Sequence, residues 1–155
     1  MFTFFFTAAS PFSQWHPCTF VVDGRTFSCA EQFMMHGKAL LFGDAKVAAQ
    51  IWATDAPKQH KALGRKVAGF DDTRWRAARE AIVAAGSRAK FTQNRALLEL
   101  LLATRGTTLV EASPYDRIWG IGLAASDPRA QDPATWRGQN LLGKILTELR
   151  DELDR

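Results

Sequence analysis

The 155-residue chain predicts an α+β fold that is predominantly α-helical, with a small β-sheet or hairpin near its N-terminus. Three observations carry that prediction. The opening FTFFF and the segment TFVV-DG-RTFS are rich in β-formers, and Asp23-Gly24 between two apolar runs is a strong short-range hairpin signal. From residue 29 onwards, apolar residues recur at three and four, the period of helices that bury one face. No internal repeat and no linker breaks the chain, so a single domain over 1–155 is expected.

After the hairpin, Ser28 followed three residues later by Glu31 reads as a capping box for a helix over 29–41. Gly43 ends that helix, and Asp44 offers an N-cap for a second one through Trp52. Pro57 opens a short third segment, KQHKALGRKV. The GFDDT turn introduces the longest helix, over 74–91, with Trp75, Ala78, Ile82, Ala85 and Ala89 as its predicted buried stripe. A helix over 94–103 carries Leu97, Leu98, Leu100, Leu101 and Leu102, which suggests burial on most sides. TTLVEAS reads as a strand that leads into PYDRIWGIGL. The polar, proline-bearing AASDPRAQDPATWRGQ is a loop of the length that has a job or is mobile. Asn140 is placed to cap the last helix, whose stripe is Leu142, Ile145, Leu146, Leu149 and Leu153.

Composition narrows the function classes. With 46% apolar and 23% charged residues the chain is an ordinary globular sequence, not a disordered one. No apolar run approaches the ~20 residues of a membrane span, and MFTFFFTAAS lacks the basic start of a secretory signal. A cytoplasmic location is expected, with Cys18 and Cys29 as reduced thiols. Histidines at 16, 36 and 60 show no zinc spacing, so neither a metal nor a cofactor is expected. A net charge of +4 favours a negatively charged partner such as a nucleotide, a sugar phosphate or nucleic acid.

Four segments can carry chemistry. Glu31 and Lys38 lie seven residues apart, so on a helix they project from nearly the same face, about 10 Å apart along the axis, with Met34 and Met35 beside them. Glu31 alone is also fully explained as a cap. The segment 110–122, VEASPYDRIWGIG, compresses two carboxylates and two aromatics into a glycine- and proline-shaped turn. Asp116 there is either a reacting group or a local turn-former, and Trp119 either a stacking ring or a core plug. WRGQNLLG enters a helix at Asn140, as an N-cap or as an anion site at the helix start. SPFSQWHPCTF presents Trp15 and polar groups before a strand, and Arg65 and Lys66 add two cations.

The ordered series PFSQW, FSCAEQFMMHGKA, ALGRKV, AKFTQN, LVEASPYDRIWGIG and WRGQNLLG resembles the NADAR family, also called YbiA-like proteins, over nearly the full chain. The resemblance implies a YbiA-like fold and an N-glycosidase acting on ribosides. Its substrates would be ADP-ribose attached to guanine in nucleic acid, or ribosylamino-phosphate intermediates of riboflavin biosynthesis. By position, Glu31, Lys38 and Asp116 become the catalytic candidates, and Trp15, Arg65, Tyr115, Trp119, Gly120 and Asn140 the substrate-binding ones. The chain departs from the family pattern at Gln14-Trp15, where asparagine often precedes the aromatic, and at Ile121, where some members carry aspartate after the Trp-Gly pair. The second departure favours the ADP-ribose side.

Breaking a C1′–N bond leaves positive charge on the ribose and a nitrogen that needs a proton, which is work for two acidic groups such as Glu31 and Asp116. A lysine with a depressed pKa can instead capture C1′ as a Schiff base, and burial would favour this while an ion pair with Glu31 would oppose it. The alternative from another class is a non-catalytic module that binds ADP-ribose or nucleotides. A nucleic-acid surface protein is a third reading that rests on charge alone.

Overall fold

Asp23 and Gly24 both take positive φ, 51° and 76°, as a two-residue hairpin turn of the favoured hand requires. They join β2 (Phe20–Val22) to β3 (Arg25–Phe27), which pair antiparallel with Phe20 opposite Phe27. This computed structural model describes all residues, 1–155. The first strand, β1 (Phe2–Phe5), does not join the hairpin. It runs parallel to β4 (Thr108–Glu111), in register from Phe2 with Thr108 to Phe5 with Glu111. The predicted small sheet is thus two separate ribbons, one local and one between distant segments.

The chain forms two compact units, Gln14–Asn94 and the discontinuous pair Met1–Ser13 with Arg95–Arg155. In the first, the hairpin precedes α1 (Ala30–Leu41), α2 (Ala45–Trp52), α3 (Pro57–Gly64) and α4 (Asp72–Thr92), with α1 packed against each of the other three helices. The predicted capping box is displaced by one residue. Cys29 is the N-cap, its Sγ accepting from Gln32 N, and the reciprocal partner is Gln32, whose Oε1 accepts from Ser28 N at 2.7 Å and Ser28 Oγ at 3.1 Å. Asp44 caps α2 as predicted, accepting from Val47 N, and its second oxygen accepts from Ala68 N.

The buried face of α4 differs from the predicted stripe. It consists of Trp75, Arg79, Val83, Gly86, Ser87, Lys90 and Phe91, while Ala85 faces solvent. Alanine favours helix wherever it stands and so says little about which side is buried. Phe33 of α1 lies where a side chain on Gly86 would be, which turns the glycine side of α4 inward.

The second unit places α5 (Arg95–Leu102) and α6 (Leu141–Leu153) with the β1–β4 ribbon, and α6 packs on β4. Leu142, Ile145, Leu146 and Leu149 of α6 are buried as predicted. Of the α5 leucines only Leu101 is fully buried and Leu100 is half exposed, so α5 buries one face instead of most of its surface. The proline-bearing loop contains two 3-10 turns, Pro128–Gln131 and Pro133–Thr135. Trp136 Nε1 donates to Ala130 O across them at 2.9 Å, and Ala130 is sealed beside Val110, Ile121 and Leu123.

Candidate functional site

On α1, Glu31 is 5% exposed, and its backbone amide donates to Gln14 O at 2.9 Å. The capping role at the start of α1 is taken by Gln32. Lys38 is half-buried two turns later, and helical side chains lean towards the N-terminus, so Lys38 reaches back along the face that holds Met34 and Met35. Its Nζ lies 4.8 Å from the Phe70 ring centroid and 5.5 Å from that of Trp75. Burial pushes the Lys38 amine below the usual lysine range; Glu31 opposes that shift and Arg65, at the end of α3, adds to it. The coupling to Glu31 is through space, with no ion pair at Nζ. The unit 14–94 therefore gathers Glu31, Lys38 and Arg65 into one electrostatic set, and Trp15, partly buried, belongs to the same unit.

A second lysine in this unit was not singled out from the sequence. Lys90, within AKFTQN, is 1% exposed near the end of α4, and burial lowers its pKa to about 8, against the opposing pull of the Cys18 and Cys29 thiols. The Cys29 thiol is pushed up to about 11, chiefly by burial, and its Sγ lies 3.6 Å from Nδ1 of the fully buried His60. Lys90 stands on the face that begins at Trp75 and Arg79, and the spacing of those residues was the available signal. Sealed as it is, Lys90 offers no surface to a ligand, whereas Lys38 does.

In the other unit, the two least generic sequence segments are interlocked. Arg137 N donates to Ile121 O, Gln139 N to Arg117 O, Asn140 N to Gly120 O, Leu141 N to Ile118 O and Leu142 N to Trp119 O, at 2.9 to 3.2 Å. The first amides of α6 are thereby occupied by loop carbonyls, which removes the anion site anticipated at that helix start. Asn140 sits at the N-cap position with φ 53° and is fully buried, but its side chain does not cap α6. Instead Oδ1 accepts from Glu111 N and Nδ2 donates to Leu109 O, which stitches the helix start to β4.

Asp116 Oδ1 accepts from Ile118 N and Trp119 N, both at 2.9 Å, as a turn-former does. Only its Oδ2 is left for a ligand. Gly120 is packed so that a Cβ would meet Glu111 O at 2.9 Å and Asp116 O at 3.0 Å. Trp119 is partly buried. Tyr115 is 88% exposed, with its ring 6.5 Å from that of Phe6, at the rim of an apolar pocket of about 320 Å³ walled by Phe4, Phe6, Pro114, Ala124 and Ser126. The predicted residues are thus divided: Trp15, Glu31, Lys38 and Arg65 in one unit, Tyr115, Asp116, Trp119, Gly120 and Asn140 in the other.

Comparison with known proteins identifies the family and the fold. The profile of the NADAR domain matches residues 3–154. The N-glycosidase R617 of Acanthamoeba polyphaga mimivirus is 44% identical over 91% of this chain and 86% of its own. The N-glycosidase YbiA of Escherichia coli is 32% identical over 85% of this chain and 74% of its own. The NMR structure of E. coli YbiA superposes with a TM-score of 0.79 at 29% identity, covering 99% of this chain and 84% of that one. A riboflavin biosynthesis protein of Vibrio vulnificus, VVA0006, is 28% identical over 91% of this chain, which spans 35% of that larger protein. No helix is long and apolar enough to cross a membrane. Six helices, two short ribbons and a match from residue 3 to residue 154 place this chain in the NADAR family, among N-glycosidases.

Proposed function

We propose that this N-glycosidase cleaves the C1′–N bond of an N-ribosylated amine, with Lys38 as nucleophile and Glu31 as proton donor. The observation that carries the proposal is the placement of the Lys38 amine, half-buried with Nζ 4.8 Å from the Phe70 ring centroid and 5.5 Å from that of Trp75, two turns along the same helix from the buried Glu31. The neutral amine adds to C1′ of the ring-opened ribosylimine. One Nζ proton passes to the base nitrogen and Glu31 supplies a second, so the base leaves as an amine with the electron pair of the C1′–N bond, and C1′ remains bound to Nζ as a protonated imine. Water then adds to C1′ and releases the sugar aldehyde, which returns Lys38 as the amine and one proton to Glu31. Trp15 and Arg65, in the same unit, are the proposed contacts for the ring and the phosphate of the substrate.

ADP-ribosylated guanine and a ribosylamino-pyrimidine phosphate both present such a carbon. The name of the V. vulnificus relative supports the second, and Ile121 after the Trp-Gly pair supports the first. Tyr115, Trp119, Gly120 and Asn140 remain proposed substrate contacts, with Tyr115 the most open of them and Asn140 already engaged with β4. Asp116 keeps one oxygen for an auxiliary role.

The test is product mass spectrometry with both substrates, with and without borohydride. Wild type is expected to release the sugar and to give a reduced adduct on Lys38. Lys38→Arg should lose the adduct and about 100-fold or more of turnover, within the range of a lost catalytic group. Full activity in Lys38→Arg would sink the covalent route. Stoichiometric binding with unchanged ligand would replace the enzyme with a binding module.

A further inference from the structure

Arg117 and Arg137 leave the interlocked loops at one point. Gly122 has φ 69°, and the place its Cβ would take lies 3.1 Å from Arg137 Cβ and 3.2 Å from Arg117 Cγ. The two stems flank the same small gap, one from each of the two signature segments. Their backbones are pinned by the loop-to-loop hydrogen bonds from Arg137 N to Ile121 O and from Gln139 N to Arg117 O, both 2.9 Å. Both residues are exposed, and neither guanidinium enters an ion pair or a hydrogen bond.

The nearby carboxylates are otherwise engaged. Asp127 feels the charge of Arg137, but it is gripped by Arg129 through Nε at 3.0 Å and Nη2 at 2.7 Å. Asp116 holds two amides of its own turn. Like charges rooted side by side repel, and an anion between them reverses the sign of the interaction. Guanidinium forks match the oxygens of a phosphate in pairs, and stems already fixed by backbone bonds lose little freedom on binding.

We propose that Arg117 and Arg137 form a phosphate-binding pair, rooted at Gly122, for a phosphate ester or diphosphate. The site deepens the N-glycosidase reading and rests on it for the choice of ligand, while its test by binding can fail separately from turnover. Its ligand carries either the diphosphate of a dinucleotide-like sugar or the monophosphate of a pentose.

Isothermal titration of the full chain with ADP-ribose, ribose 5-phosphate and inorganic phosphate, at low and high salt, tests it by binding and not by turnover. Wild type should bind at least one of these ligands, more weakly as salt rises. Arg117→Ala and Arg137→Ala should each weaken binding about tenfold or more. Lys58→Ala, an exposed cation on α3, should leave it unchanged. Thermal melting checks the fold of each variant. Should an alanine variant fail to fold, Arg117→Lys and Arg137→Lys keep the charge, lose the fork and should bind measurably more weakly than wild type. Preference for ADP-ribose would assign a diphosphate, and preference for ribose 5-phosphate a monophosphate. Binding of none of the three by wild type, or equal binding by wild type and the arginine variants, would overturn the proposal.

Discussion

Lys90 and Lys38 differ in access: Lys90 is 1% exposed, whereas Lys38 is half-buried and reaches the surface. Lys90 is sealed, with a pKa near 8 instead of the ordinary 10.5, so between those values the unfolded chain holds a proton that the native protein has released. Stability must therefore rise with pH across that window. Cys29 acts in the opposite sense, because its thiol stays protonated up to about 11 when folded and only to 9.0 when unfolded, so stability falls as pH rises through that interval. The net gain is confined to about pH 8 to 9 and amounts to roughly 1 kcal/mol. Urea unfolding at pH 7.5, 8.0, 8.5 and 9.0 should show that slope in wild type and lose it in Lys90→Met. Equal slopes in the two proteins would show that Lys90 is not the titrating group. The placement of Glu31 and Lys38 on one helix, two turns apart, was legible in the sequence because the helix signals around them are local. Lys90 was not, because nothing in AKFTQN distinguishes a buried lysine from a solvated one until the inward face of α4 is known.

At the level of elements, the start of α1 depends on Gln32. Its Oε1 holds Ser28, and its Nε2 donates to Ile51 O at 3.2 Å, Trp52 O at 3.3 Å and Thr54 O at 2.9 Å, which anchors α1 to the end of α2. Gln32→Ala removes all of these and leaves buried polar groups unsatisfied, at about 3 kcal/mol. The melting temperature should fall by roughly 6 to 12 °C. Glu31→Gln should melt within a few degrees of wild type and lose most turnover. A large loss of stability in Glu31→Gln with little in Gln32→Ala would return the capping role to Glu31. The helices and the hairpin were legible because periodicity and turn chemistry are local. The one-residue shift of the cap was hidden because a cysteine N-cap, with sulfur as acceptor, lies outside the usual Ser, Thr, Asp and Asn set. The ladder of bonds between 117–121 and 137–142 was hidden for another reason: it is a long-range backbone match that no side-chain pattern announces.

For the molecule as a whole, the β1–β4 ribbon was the least legible feature, since FTFFF carries no mark of the partner it will choose. Pairing brings Thr3 Oγ1 within 2.6 Å of Thr107 Oγ1 across a separation of 104 residues. Removal of residues 1–5 should uncover Leu109 and Val110, both fully buried, and hydrogen exchange of the β4 amides should speed up by orders of magnitude while α1 keeps its protection. Unchanged exchange in β4 would mean that α6 alone protects the strand. The same ribbon has a consequence for the order of events at the ribosome. Phe2, Phe4 and Phe5 are made before the strand that pairs with them, which follows only after the whole of 14–94 has been synthesised. At 5 to 20 residues per second, that delay is roughly 5 to 20 s. For that interval β1 stands as an unpaired, phenylalanine-rich strand edge, which makes it a natural client for a chaperone that holds nascent chains.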